Sequence, residues 1–191
     1  MDSDDISDLS RIEKQMELIT ENENIDLVSV FPKMIDSNGN YHSGQKFFQA
    51  TSTGSAKFIA LFQAPILHAG ILIKSSILKK ERYFYSKEYQ HIEDYELWIR
   101  LLYERNIELK VIPKVLYSYR INLSSVSYEH RDTQLFNQRK HSQLSIKNYY
   151  NFENSETTVK IMLNHRCQEA KLIDFNNAIK SLKKIKSSYI D

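Results

Sequence analysis

The hydrophobic pattern of the first 121 residues changes repeatedly between two periods, and this change limits the fold more than any other feature of the sequence. Apolar residues recur at spacings of three and four over about residues 8–22 and again over Glu93–Arg105, which predicts two amphipathic helices. A shorter helix is expected over 55–62. Runs rich in β-forming residues lie at 26–31, 68–73, 107–112 and 115–121. From about residue 131 the pattern is helical and polar to the end, so the order predicts a mixed α/β fold with a helical tail.

Local sequence signals predict where these elements end. The first strand should end at Pro32, and Asn38-Gly39 predicts a tight turn shortly after it. Pro113 and Lys114 should separate the last two strands. The helix over Glu93–Arg105 has an apolar face and a face of alternating charge, so its charged side should face solvent. The apolar face consists of Tyr95, Trp98, Leu101 and Leu102, and the charged face of Glu96, Arg100 and Glu104.

Length and composition exclude several classes of protein. A chain of 191 residues with 41% hydrophobic residues can form one packed core, which excludes whole-chain disorder. Its net charge of +2 is too small to indicate nucleic-acid binding without a motif. The single cysteine, Cys167, excludes an internal disulfide framework and is compatible with a reducing compartment. An acidic N-terminus and the lack of an apolar run of about 20 residues indicate no signal peptide and no membrane span, so a cytoplasmic protein is expected.

The segment Asp2-Ser3-Asp4-Asp5 places three carboxylates directly before the first helix. Mg²⁺ and Mn²⁺ prefer oxygen ligands and are usually held by one or two carboxylates together with water and phosphate oxygens. The cluster therefore suits a site for a metal and a diphosphate. The alternative is that these aspartates cap the helix and complement its dipole.

Two further groups of residues are candidates for chemistry. Asp94, preceded by Glu93, begins the second amphipathic helix, where a carboxylate can be a general base or simply a helix cap. Tyr119-Arg120 lies at the end of the last predicted strand, and the hydroxyl-rich stretch 124–127 follows it. Guanidinium and hydroxyl groups bind phosphate oxygens, although an ordinary surface loop explains this stretch as well.

Taken together and in this order, these segments resemble the C-terminal two-thirds of a family 2 glycosyltransferase of the GT-A fold. The resemblance covers residues 1 to about 128 and rests on four blocks. The blocks are Asp2–Ser7 with Arg11, Glu13 and Gln15; Pro65–His68; Glu93–Leu101; and Tyr119-Arg120 with Ser127. It implies a partial GT-A mixed sheet over 1–130, followed by a helical C-terminal extension over 131–191.

The resemblance also implies roles for individual residues. Asp2 and Asp4 match the two acids of the D-x-D motif, which face the ribose of the nucleotide-sugar donor and bind Mn²⁺ or Mg²⁺, and Asp5 belongs to the same loop. Asp94 matches the base that deprotonates the acceptor hydroxyl in an inverting transfer, and Glu93 helps to set its loop. The remaining matches are Arg120 and Ser124 on the donor side, and His68 and Trp98 in the acceptor pocket. For these last two, a purely structural role is the alternative.

Family members have nucleotide-binding β-α units before the D-x-D motif, whereas this chain begins at the motif. The expectation is therefore a truncated chain that transfers a sugar to a glycan or lipid-linked acceptor in cell-surface polysaccharide synthesis, with a partner chain supplying the missing half. The alternative is a non-catalytic remnant, or a fragment that binds a partner.

The tail carries an amphipathic pattern of apolar residues and lysines. Such a helix can lie on an anionic membrane surface, here at the inner face of the membrane, or it can pack on its own domain with a solvated basic side. The apolar positions are Leu172, Phe175, Ile179, Leu182 and Ile185, and the lysines are Lys180, Lys183, Lys184 and Lys186.

Overall fold

The computed structural model describes residues 2–42, 49–79, 85–121, 130–151, 153–163 and 170–188. Its strands are β1 (Ile6–Ser7), β2 (Leu27–Ile35), β3 (Leu72–Ile73) and β4 (Leu109–Arg120). Its helices are α1 (Arg11–Glu21), α2 (Thr53–Ala60), α3 (Ser75–Leu78), α4 (Glu93–Ile99), α5 (Arg131–Tyr150), α6 (Glu156–Met162) and α7 (Leu172–Ser187). A 3₁₀ turn, His68–Gly70, precedes β3, and a π-helical turn, Arg100–Glu104, continues α4. The predicted mixed α/β fold is confirmed.

The strands form one mixed sheet in the order β1-β4-β2-β3. The two long strands, β2 and β4, run parallel, whereas β1 and β3 are antiparallel to their neighbours. The carboxyl ends of the parallel pair meet at Ile35 and Arg120. In open α/β sheets ligands bind outside this edge, so these two strand ends and the turn that follows Ile35 lie where a site is expected.

Both proline-based strand boundaries were predicted wrongly. β2 continues through Pro32 to Ile35, and the two predicted runs around Pro113 form the single strand β4. The register slips between Val30 and Pro32, so that residues 113 and 114 have no partner in β2. Such a bulge is where a strand tolerates proline, because no ladder hydrogen bond is then required of it.

The turn after β2 follows its prediction. The Asp36 N–H donates to the Asn40 carbonyl at 2.9 Å, and Gly39 has a φ of 86°, which favours glycine. The first helix is shorter than expected and begins at Arg11. The Asp8 carboxylate accepts hydrogen bonds from the Ser10 N–H at 2.9 Å and the Ser10 hydroxyl at 2.7 Å, just before that start.

Residues 68–73 were predicted as a strand, but only Leu72 and Ile73 pair in the sheet. Gln15 of α1 explains how this segment is held: its side-chain amide donates to the carbonyls of Val28 at 2.8 Å and Gly70 at 3.0 Å. A side chain at Gly70 would meet Val30 at 3.5 Å. The turn therefore packs closely on the sheet, with His68 at its start.

Of the charged face predicted for the helix over Glu93–Arg105, only Glu104 is on the surface. Glu96 and Arg100 are buried, and they form an ion pair with Arg100 Nε 2.9 Å from Glu96 Oε1. The predicted apolar face is buried, as expected, with Tyr95 and Trp98 in the main core. Both sides of α4 are thus covered by protein.

The described part of the tail contains three helices, of which α5 and α7 pack on the rest of the chain. The Ser142 hydroxyl donates to the Leu61 carbonyl at 2.6 Å, and Leu61, Ile146 and Ile185 form one buried cluster. A boundary near residue 130 stays a prediction. Among the described residues, no helix is both long enough and apolar enough to span a bilayer.

Candidate active site

The acidic loop Asp2–Asp5 is attached to the carboxyl end of β4. The Tyr117 hydroxyl and the Arg120 N–H both donate to the buried Asp5 carboxylate, the latter at 2.8 Å. β1, directly after the loop, pairs Ile6 with Ser118 of β4. Asp5 therefore anchors the loop at the ligand-binding edge of the sheet, while Asp2 and Asp4 are exposed.

Arg120 joins this loop to the turn after β2. Its Nε donates to the Asp4 carbonyl at 2.7 Å, and its Nη1 donates to the carbonyls of Asp36 at 2.7 Å and Ser37 at 2.9 Å. The guanidinium thus fixes the backbone of the acidic loop in this structure. Its role in binding the donor stays a prediction, and Ser124 lies outside the described residues.

The half-buried Asp94 carboxylate lies in a cleft of about 470 Å³. The cleft is lined by His68, Tyr85, Ser86, Lys87, Glu93 and Asp94. Burial raises the pKa of the Asp94 carboxyl, whereas the Tyr95 N–H, 2.8 Å from Asp94 Oδ1, and His68 act to lower it. Asp94 is therefore a stronger base than an exposed aspartate.

Glu93 supports the backbone just before α4. Its Oε1 accepts a hydrogen bond from the His91 N–H at 2.9 Å, and His91 has a left-handed φ of 64°. A non-glycine residue in this conformation needs support from its surroundings. The Glu93 carboxylate supplies that support and so fixes the approach to Asp94.

His68 is held by two aromatic neighbours. The Tyr85 hydroxyl lies 2.8 Å from His68 Nε2, and the Trp98 ring centroid lies 5.4 Å from that of His68. Burial lowers the pKa of His68, against the effect of the Asp94 charge, which raises it. Trp98 is buried in the core and is not part of the cleft lining, so its contact is with His68. An acceptor role for His68 and Trp98 stays a prediction.

The acidic loop and Asp94 both act on Tyr119, although about 90 residues separate them in sequence. Burial raises the pKa of Tyr119, and the charges of Asp5, Asp2, Asp4 and Asp94 raise it further. The acids of both predicted motifs therefore act electrostatically on one tyrosine of β4.

The described part of the chain does not supply a complete ligand set for a divalent metal. The described residues contain no group of three or more His, Cys, Asp or Glu side chains that could hold a metal ion. Mg²⁺ is often bound by one or two carboxylates together with the phosphates of a substrate. The exposed Asp2 and Asp4 fit that arrangement when a diphosphate completes the ligand set.

The sequence interpretation missed Tyr85 and Tyr117, and it named Tyr119 in one of the four blocks without giving it a role. A signal was present for two of them, because Tyr117 and Tyr119 are two residues apart on a strand and so share a face. Tyr85 had no such signal. It reaches His68 across 17 residues of chain, which no local pattern predicts.

The sequence relatives of this chain are glycosyltransferases. It is 31% identical over 121 residues to "Uncharacterized glycosyltransferase MJ1057" of Methanocaldococcus jannaschii and 29% identical over 126 residues to the O-antigen biosynthesis glycosyltransferase WbnJ of Escherichia coli. It is also 25% identical over 163 residues to the bifunctional glycosyltransferase pgtA of Dictyostelium discoideum. These matches cover 63%, 65% and 70% of this chain, but only 40%, 47% and 21% of the relatives. The chain thus spans less than half the length of these relatives.

Solved structures agree with the sheet and helix arrangement. The fold matches S. aureus TarS 1–349 in complex with UDP with a TM-score of 0.50 at 16% identity, over 96% of this chain and 53% of that one. A second TarS structure matches with a TM-score of 0.51 at 16% identity, over 99% of this chain and 34% of the other. At this identity the likeness concerns the fold alone. No protein-family model matches the chain.

Proposed function

We propose that this chain carries the catalytic acids of an inverting family 2 glycosyltransferase of the GT-A fold. It would transfer a sugar from a nucleotide-sugar donor to a hydroxyl of a glycan or lipid-linked acceptor, in cell-surface polysaccharide synthesis. The observation that carries this proposal is that Asp5 anchors the acidic loop at the carboxyl edge of the sheet while Asp94 lies in the cleft, and that the charges of Asp2, Asp4 and Asp94 all act on Tyr119. The relatives add support, since WbnJ is an O-antigen biosynthesis enzyme and TarS binds UDP.

In this proposal Asp94 removes the proton of the acceptor hydroxyl. The oxygen then attacks the anomeric carbon from the face opposite the leaving nucleoside diphosphate, which inverts the configuration. The raised pKa of Asp94 suits this task, because a base works best when its pKa is close to the operating pH. The cleft beside Asp94 would hold the acceptor, with His68 and Tyr85 on its wall.

On the donor side, Asp2 and Asp4 would hold Mn²⁺ or Mg²⁺ together with the diphosphate. The ion would neutralise the charge that develops on the departing group. Asp5 and Arg120 keep these two carboxylates at the sheet edge through the contacts described above. We also propose a GT-A unit over 1–130, a helical extension over 131–191 and a place on the cytoplasmic side of the membrane.

Calorimetric titration with UDP and with GDP, with and without Mn²⁺, tests the donor site. Metal-dependent binding that is lost in Asp4→Ala would support the proposal. Glu21→Ala is the matched control, because Glu21 is an exposed carboxylate at the end of α1 and should leave binding unchanged. Binding that needs no metal and survives Asp4→Ala would contradict the proposed donor site.

Donor hydrolysis in the presence of Mn²⁺ tests the base. Asp94→Asn keeps the shape of the side chain but removes the base, so hydrolysis or transfer should fall by about 10²–10⁴-fold. Unchanged turnover in a correctly folded Asp94→Asn variant would refute the role of Asp94.

The second candidate is a non-catalytic fragment that binds a partner chain. One observation favours it: Leu9, Ile12 and Met16 form an exposed apolar row beside the acidic loop. A folded chain that binds neither nucleotide, with or without metal, would favour this candidate over the enzyme.

A further inference from the structure

Helix α7 is fixed to the protein by one narrow face. Ala178, Ser181 and Ile185 are buried, and their spacings of three and four place them on one side of the helix. Ile185 lies in the cluster with Leu61 and Ile146, and the helix also packs against α6. The orientation of α7 is therefore set by the fold, and so is the identity of the face that it exposes.

A helix that packs on its own domain is expected to bury its large apolar side chains, but α7 exposes three of them. Leu172, Phe175 and Ile179 are 78%, 47% and 51% exposed. They are spaced by three and four residues, and the exposed Lys183 and Lys186 continue the same row by four and three. These five side chains, here called the α7 stripe, extend over about 21 Å of helix at about 1.5 Å per residue. Isolated exposed apolar residues are common, but an ordered row of large ones marks an interaction surface.

Charge indicates what covers the α7 stripe. Residues 170–188 contain five lysines and one aspartate, a net charge of +4, whereas the whole chain has a net charge of +2. Two copies of this face would bring lysines against lysines, which disfavours self-association. An anionic surface complements it. Lysine side chains can reach lipid head groups while apolar neighbours enter the acyl boundary.

We propose that α7 lies flat in the interface of an anionic bilayer, with Leu172, Phe175 and Ile179 inserted and Lys183 and Lys186 on the lipid phosphates. The helix is 16 residues long and strongly basic, which is typical of helices that lie on a membrane and do not cross it. This inference does not depend on the proposed sugar transfer. It concerns a face formed by the tail alone.

Flotation with lipid vesicles tests the proposal on the full chain. The chain should float with vesicles of phosphatidylcholine and phosphatidylglycerol, bind phosphatidylcholine vesicles at least about tenfold more weakly, and be released by added salt. The triple change Leu172→Ser, Phe175→Ser and Ile179→Ser should lower the partition coefficient by at least about tenfold, and so should Lys183→Glu with Lys186→Glu. All five side chains are exposed, so circular dichroism melts should stay close to those of the unchanged chain.

Helix α1 and the residue before its N-cap provide a matched control. Leu9, Ile12 and Met16 also form an exposed apolar row, but residues 9–21 contain two basic and three acidic side chains. Changing these three residues to serine should leave vesicle binding unchanged. Equal losses from the α1 and α7 triple variants would overturn the proposal, as would equal binding to neutral and anionic vesicles. A dimer that the α7 triple variant abolishes, without any vesicle binding, would overturn it in favour of a second copy.

Discussion

Removing one partner of the buried ion pair Glu96–Arg100 should lower the unfolding free energy far more than removing one partner of a surface pair at the same spacing. Glu96 and Arg100 are 6% and 7% exposed, and two hydrogen bonds join them, from Arg100 Nε to Oε1 at 2.9 Å and from Nη2 to Oε2 at 3.1 Å. Glu96→Gln leaves the guanidinium charge buried without its carboxylate, which costs about 3–5 kcal/mol. With an unfolding entropy of about 2.1 cal/mol/K per residue, this corresponds to a fall in Tm of roughly 8–12 °C for the 191 residues.

Urea denaturation followed by circular dichroism measures this difference, and two further variants control it. Replacing both partners, Glu96→Leu with Arg100→Met, should restore stability to within about 1–2 kcal/mol of the unchanged chain, because no buried charge then remains unpaired. Glu156→Gln breaks the pair with Lys160, also four residues apart, together with a longer contact to Arg139 at 3.6 Å; because the Glu156 side chain is 55% exposed, this change should cost less than about 1 kcal/mol. If Glu96→Gln lowers the unfolding free energy no more than Glu156→Gln does, burial is not what makes breaking the α4 pair costly, and the reasoning is refuted.

Three further predictions concern titratable groups. The pKa of Asp94 is raised on folding, so the folded state loses stability as the pH rises above 3.8 and the carboxyl group ionises. Asp94→Asn removes this loss and should increase the unfolding free energy at pH 7 by about 1.4 kcal/mol for each unit by which folding raises the pKa. Urea titrations should show that this gain shrinks as the pH is lowered toward 3.8. His68 lowers the pKa of Asp94, so His68→Gln should move the acid limb of the pH profile of donor hydrolysis to higher pH. Burial lowers the pKa of His141 from 6.5 to about 4, so about 3 kcal/mol of stability should be lost as the pH falls from 6.5 to about 4. His141→Leu should remove this pH dependence, which urea unfolding of both chains at each pH would measure.

The periodicity of the sequence predicted where the helices lie but not how many of their faces are covered. For α4 the charged positions have the spacing of a solvent-exposed face, yet α5, nearly 40 residues further along the chain, helps to cover the helix. Nothing local to residues 93–105 encodes that contact. The result is a buried ion pair where the pattern predicted a solvated one.

For α7 the sequence prediction failed in the opposite way: residues expected to be buried are exposed. The pattern grouped its large apolar residues into one face, but the buried face contains Ala178 and Ser181, which are small and allow close packing. Of the five apolar positions expected to share a face, Leu172, Phe175 and Ile179 are exposed and Ile185 is fully buried. Size complementarity between helices therefore decided the packing, and periodicity alone does not contain that information.

The prolines of β2 and β4 show why boundaries were less predictable than elements. Each proline was treated as the end of a strand, which is correct for an isolated strand. In the sheet, the register shift next to Pro32 and Pro113 leaves the ladder intact on either side. A bulge depends on both strands at once, so it could not be deduced from either segment separately.

The candidate site was predicted in parts. The resemblance assigned its acids, and in the structure the charges of Asp2, Asp4 and Asp94 all act on Tyr119, but the roles themselves stay predictions. Without the resemblance, each acid could equally be a helix cap, because local sequence does not show that segments 90 residues apart meet. The tyrosine contacts were missed for the same reason.

For Asp94, the two interpretations left open by the sequence make opposite predictions about its pKa. A capping carboxylate is stabilised in its charged form by backbone N–H groups, which lower its pKa. Asp94 does accept one such bond, from Tyr95, yet burial outweighs it and raises the pKa. The same packing that buries Tyr95 and Trp98 thus removes water from the carboxyl group at the start of the helix. A cap would gain nothing from that desolvation, whereas a base becomes stronger, so the raised pKa has the sign that the proposed general-base role of Asp94 requires.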